Sequence, residues 1–220
     1  MALTHFSPVW FRGYDLVLEV SFVIITFLVA FFAVQSYRRT LHKQLLFFSV
    51  GFLFVSAAYI VEVLINTFIL LGATCPVGCT LEMVEELLST QYYGLLLYGA
   101  LMLLGLTILL QTALRYDSRL FVLIVALTVP AFLLSKNPFT LFNIFASVML
   151  AMLSWHFMKN YWGCRNRNAL LVGVAFVLLL FGNVHFLFSI KSYLLYVLAH
   201  ILTFVAYLLI LANLYFVTRR

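Results

Sequence analysis

Tyr59, Glu62 and Asn66 stand three and four residues apart inside an apolar run, the spacing that stacks side chains on one face of an α-helix. A phenol, a carboxylate and an amide on one stripe can bind a polar ligand, hold a metal ion or carry protons. Near the C-terminus Tyr196, His200, Thr203 and Tyr207 share a narrow arc by the same period, and His185 precedes them. Asp15 and Glu19, four residues apart, share a face near the N-terminus. An ionisable group left unpaired in hydrocarbon costs several kcal/mol, so these residues are the first place to look for function.

Three chemistries fit them. His185 and His200 with Glu62, Asp15 or Glu19 make a donor set for Zn²⁺ that leaves one position for water, and the metal would activate that water against a lipid ester or amide. Alternatively Glu62, His200, Tyr59, Asn66, Tyr196 and Tyr207 form a ligand site without metal, or the groups titrate together as a proton sensor. The plainer expectation for Asp15 and Glu19 is a wet helix N-terminus, which favours carboxylates. For His185 it is a head-group contact.

Other cofactors fare worse. The pairs His42 with His156 and His185 with His200 formally offer two-histidine haem sites, yet His42 sits in the basic segment RRTLHK, next to the aqueous loop. A retinal Schiff base is excluded by the absence of lysine from the last apolar run.

Cys75 and Cys79 flank Pro76, Val77 and Gly78. That turn can bring them within disulfide range in an oxidising compartment. With three residues between them they are neither a CxxC redox pair nor a complete zinc motif. Cys164 stands alone in a basic loop and is expected to be free.

The elements that must position these groups are helices. The 220 residues are 65% hydrophobic and 9% charged, far below the roughly 25% charge of a soluble chain. The apolar residues form seven long runs, at about Leu16 to Ser36, Gln44 to Leu71, Tyr92 to Leu114, Leu120 to Leu134, Phe139 to Phe157, Asn168 to Phe188 and Tyr193 to Val217. Long runs imply helices, which satisfy their own backbone in lipid, and exclude a β-barrel. The fourth is short and holds Pro130. Were Ser135 to Pro138 a kink rather than a loop, the count would fall to six.

On the seven-helix reading one side carries Arg38, Arg39, Lys43, Arg115, Arg119, Lys159, Arg165, Arg167, Arg219 and Arg220, and the other only Arg12, Lys136 and Lys191. Such asymmetry places the basic loops and the C-terminus in the cytoplasm and the N-terminus outside. The basic residues suit anionic head groups and form no nucleic-acid groove. The first run lacks a secretory cleavage pattern and is expected to remain.

One connection is long. Residues 72–91 are expected to be an extracellular loop bearing a short amphipathic surface helix, capped by Thr80, with Leu81, Val84, Leu87 and Leu88 on its apolar side. Gly94, Gly99, Gly105, Gly173 and Gly182 permit close helix approach but give no GxxxG pair that would specify a dimer. Asn143, Ser147 and Ser154 align as a packing seam, roughly opposite His156.

There is no P-loop, Rossmann glycine pattern, HExxH or serine elbow. The expectation is an all-α integral membrane protein, a seven-helix bundle forming one transmembrane domain over 1–220, multi-pass in the cell membrane. It would be a receptor or sensor binding a small ligand, metal ion or protons in the outer half of the bundle. A zinc-dependent lipid hydrolase and a small-solute or ion transporter are the alternatives. Expected partners are membrane lipids and a cytoplasmic protein at the basic loops, with no nucleic acid.

Overall fold

The computed structural model describes residues 10–72, 81–165, 167–189 and 192–219. Among them the chain forms seven helices: α1 (Arg12–Thr40), α2 (Lys43–Gly72), α3 (Leu81–Leu114), α4 (Ser118–Leu133), α5 (Pro138–Cys164), α6 (Arg167–Phe188) and α7 (Tyr193–Arg219). All but α4 are long and apolar enough to cross a membrane, which makes the chain an all-helical, multi-pass membrane protein.

Paired side chains give the direction of each helix. Ser49 Oγ donates to the Ala30 carbonyl at 3.0 Å and Asn66 to Glu19 at 2.7 Å, so α1 and α2 are antiparallel. Tyr98 meets Phe142, and Thr107 meets Met149, so α3 and α5 run parallel. The chain must return between them, and α4 carries it. Leu134–Asn137 is a turn, not a kink, and α4 and α5 are separate helices. Phe11 packs on Tyr196, and Ser36 bonds Thr218, so α1 and α7 also run parallel.

Helices α1, α2, α3, α5, α6 and α7 close a ring in that order, while α4 packs only on α3 and α5 from outside. Sixteen residues give α4 little surface to commit, and Phe132 is its only buried side chain. That ring is seated over Gly99, where any Cβ would strike it. A second close approach joins α2 to α3: a Cβ on Gly105 would stand 2.9 Å from the Gly51 carbonyl. Small residues thus work across helices here rather than as a repeat on one.

The expected surface helix within 72–91 takes a different form. From Leu81 the chain is helical without interruption to Leu114, so this stretch is the opening of α3. No Gly or Pro falls between Leu81 and Gln91, so nothing breaks the helix before the span. Thr80, Cys75 and Cys79 lie outside the described residues, as do Lys191 and Arg220.

The turns α1–α2, α3–α4 and α5–α6 sit at one end of the bundle, with exposed Arg38, Arg39, Lys43, Arg115, Arg119, Arg165 and Arg167 around them. Leu41, Arg115 and Arg165 all take the left-handed conformation there, at φ 57°, 54° and 50°. Each donates its N–H to a carbonyl four residues back, stopping its helix with a one-residue cap.

Candidate functional site

Away from the basic end, the ring of helices does not fill its own centre. A cavity of about 330 Å³ lies between α2, α3, α5, α6 and α7, within the range of roughly 300–1,000 Å³ typical of small-molecule sites. Gln91, Asn137 and Ser189 mark its upper rim, and Leu106, Leu150 and Tyr207 its floor. From Gln91 to Leu106, α3 rises about 22 Å, so the space reaches deep into the bundle.

Tyr59, Glu62, Asn66, Tyr196, His200 and Tyr207 all line this cavity. The two stripes meet because α2 and α7 face each other across the ring without packing directly, each bound to α1 instead. Tyr59 and Tyr207 bridge that gap through their hydroxyls at 3.0 Å. Phe22 of α1 stands behind both, with ring centroids at 5.2 and 5.8 Å.

His200 is held by aromatic rings and by its own helix. Phe186 and Tyr196 approach its ring at 4.9 and 4.5 Å, Phe11 and Phe22 at 5.9 and 6.2 Å. Its Nδ1 lies 3.1 Å from the Tyr196 carbonyl.

The two carboxylates of α1 are not at a wet interface. Asp15 is 4% exposed and Glu19 1%. Asp15 accepts the Leu16 N–H at 2.8 Å, and Glu19 Oε1 accepts from Asn66 Nδ2 at 2.7 Å. Glu19 Oε2 is buried with no hydrogen-bond partner among the described residues. Both carboxylates lie within electrostatic reach of Glu62 without lining the cavity themselves. Glu62 does line it, and takes no hydrogen bond from any described residue.

His185 stands apart. Its Nδ1 lies 2.6 Å from the Phe181 carbonyl one turn back, and the side chain is not on the cavity wall. Among the described residues no three His, Cys, Asp or Glu side chains come close enough together to hold a metal ion. The set His185, His200, Glu62, Asp15 and Glu19 is therefore divided between the cavity, the layer behind it and the bundle surface.

The wall also holds residues that sequence reasoning missed as site residues. Tyr98 lines the cavity and packs on Phe142 and Tyr59 at 5.5 and 6.2 Å. Asn183 is another wall residue, joining α6 to α5 by donating to the Asn143 carbonyl and to Ser147 Oγ, each at 2.8 Å. The seam of Asn143 and Ser147 thus faces α6, and Asn143 reaches the cavity as well. A lone amide in an apolar span needs a partner, and that was the available signal for Asn183.

Residues 16–84 match a family model described as a family of unknown function (DUF7521). The match covers less than half of the chain, from within α1 to the opening turns of α3. It includes Glu19, Tyr59, Glu62 and Asn66 but none of the site residues on α5, α6 and α7. No curated protein and no solved structure matches the chain.

Proposed function

We propose that the chain is a receptor or sensor of the cell membrane that takes a small ligand into the cavity from the outer side. The observation that carries this reading is Glu62, a carboxylate on a cavity wall that no described residue hydrogen-bonds. Burying such a group in a membrane costs several kcal/mol, and a ligand that completes its bonding offsets that cost. The basic end suits the cytoplasmic leaflet, where arginines meet anionic head groups and a partner protein.

No observation favours the other two classes. A zinc hydrolase requires a donor cluster that the described residues do not assemble. A transporter requires a path through the layer under the cavity, where Leu109, Leu110, Leu153, Phe176 and Ile210 are at most 2% exposed.

The test uses the full chain in lipid nanodiscs, screened for compounds that raise its Tm by mass action. Ala146 is 1% exposed and lines the cavity, so Ala146→Phe puts a ring into the open space. Stabilisation by a compound in the wild type and its loss in Ala146→Phe is the expected result. Stabilisation that persists in Ala146→Phe places binding elsewhere and ends the reading. Orientation is tested separately through Cys164, which is exposed at the basic end. In Cys75→Ser/Cys79→Ser, an impermeant maleimide should label Cys164 only after the cells are permeabilised.

A further inference from the structure

Glu62 and three amides on the cavity wall turn acceptor atoms toward the space, beside tyrosine hydroxyls that can donate or accept. Asn66 spends its amide N–H on Glu19, Asn143 donates to the Phe139 carbonyl at 2.7 Å, and Asn183 donates to Asn143 and Ser147. Backbone carbonyls can only accept, so for Asn143 and Asn183 the amide nitrogen must face the protein. Their oxygens, like that of Asn66, take no hydrogen bond from any described residue. With Glu62, the wall offers acceptors in search of donors.

Charge has the same sense. Among the described residues no Lys or Arg lines the cavity, and the carboxylates of Asp15 and Glu19 lie behind Glu62. His200 is the single basic side chain on the wall among the described residues, and its Nδ1 already faces the Tyr196 carbonyl. A cation entering beside Glu62 favours its ionised form and pairs with it in surroundings of low dielectric, whereas an anion finds no such partner.

The rest of the wall is aliphatic and aromatic. Tyr98, Phe142, Phe186, Tyr196 and Tyr207 surround the space, and ring faces attract positive charge spread over an organic group. A hard metal cation needs many oxygen ligands at short range, and among the described residues a single carboxylate lines the cavity.

We infer that the ligand of this cavity is a small organic cation, an ammonium compound that donates to Glu62 and lays its carbon frame against the aromatic wall. The inference rests on the small-ligand reading above and narrows it to a chemical class. Benzylamine, benzyl alcohol and benzoate separate the two, since they share a ring and differ in charge. Benzylamine should raise the Tm of the full chain in nanodiscs, and the other two should leave it unchanged. Glu62→Gln, which keeps the shape of the side chain, should weaken benzylamine binding by about tenfold or more, the scale of a lost charge-assisted contact. Should that variant fold poorly, Tyr98→Leu supplies a second reading by removing a ring face, with a several-fold loss expected.

Benzyl alcohol or benzoate binding as tightly as benzylamine, blocked by Ala146→Phe but indifferent to Glu62→Gln, overturns the cation and leaves the small-ligand reading intact. Benzylamine that binds equally well in Glu62→Gln, or does not bind at millimolar concentration, also overturns the cation. A wide library with no compound sensitive to Ala146→Phe removes both.

Discussion

The two halves of the bundle solve opposite problems with the same kind of material. Near the basic end most polar groups are matched: Ser36 and Thr218 share a hydrogen bond at 2.9 Å, Arg39 caps the Thr218 carbonyl, and Arg115 donates to Gln44 at 3.1 Å, with the buried Asn213 Oδ1 the exception among the described residues. Apolar side chains fill the interior there, and the left-handed stops at Leu41, Arg115 and Arg165 close the turns. Toward the other end the ring stays open, and acceptors stand without donors. Packing between helices is what holds a membrane bundle together, because lipid is as apolar as the side chains. The closed half therefore fixes the geometry that lets the other half stay unfilled.

The comparison breaks most easily at Phe176. It is 1% exposed and stacks on Phe157 at 5.4 Å, in the closed half. Phe176→Ala should cost about 3–5 kcal/mol in reversible unfolding from mixed micelles, the range for a buried ring lost to a new void. Leu106→Ala, on the cavity floor, should fall below the usual range of about 2–5 kcal/mol for buried Leu→Ala, because it widens space that exists already. Equal costs at the two sites would mean that the halves do not differ in packing.

A middle-sized effect is expected within the open half, behind the cavity wall. Asn66→Leu strips Glu19 of its one side-chain donor and should destabilise by about 1–3 kcal/mol, the cost of a buried polar group left unmatched. Pairing it with Glu19→Leu should recover most of that loss in a double-mutant cycle. Simple additivity would show that the α1–α2 bond carries no energy. The smallest effect belongs to the matched pair at the basic end. Ser36→Ala should cost about 0.6 kcal/mol, the average for a hydrogen bond between membrane helices, and a cost of several kcal/mol would make that pair a keystone rather than one contact among many.

Periodicity made much of the site legible. Tyr59, Glu62 and Asn66 had to share a face whatever the fold, as did Tyr196, His200 and Tyr207, and polar stripes avoid lipid. What periodicity cannot supply is the rotation of one helix against another. Whether Glu19 pointed to water or to Asn66 depended on how α1 turns toward α2. His185 illustrates the reverse case, because a ring nitrogen can satisfy itself on its own helix and so never join a cluster. Tyr98 was hidden for another reason: it follows Tyr92 and Tyr93 in a chain with 12 Tyr and 23 Phe, where a single aromatic carries no contrast. The place of α4 outside the ring was equally unreadable, since a short apolar run looks the same in a core and against lipid.

That short helix has a mechanical consequence. Sixteen residues rise about 24 Å, against roughly 30 Å of hydrocarbon. Phe132 locked over Gly99 prevents α4 from sliding to share the deficit between both leaflets. Lipids beside Leu120, Leu123 and Leu127 must therefore compress, at a fraction of a kcal/mol for each ångström. With α4 pinned at Phe132, the mismatch with a thicker bilayer falls at its other end, beside Arg119 and the α3–α4 turn, and not at the turn that carries Asn137 on the cavity rim. A helix that lines none of the cavity thus keeps the bilayer's adjustment away from its mouth.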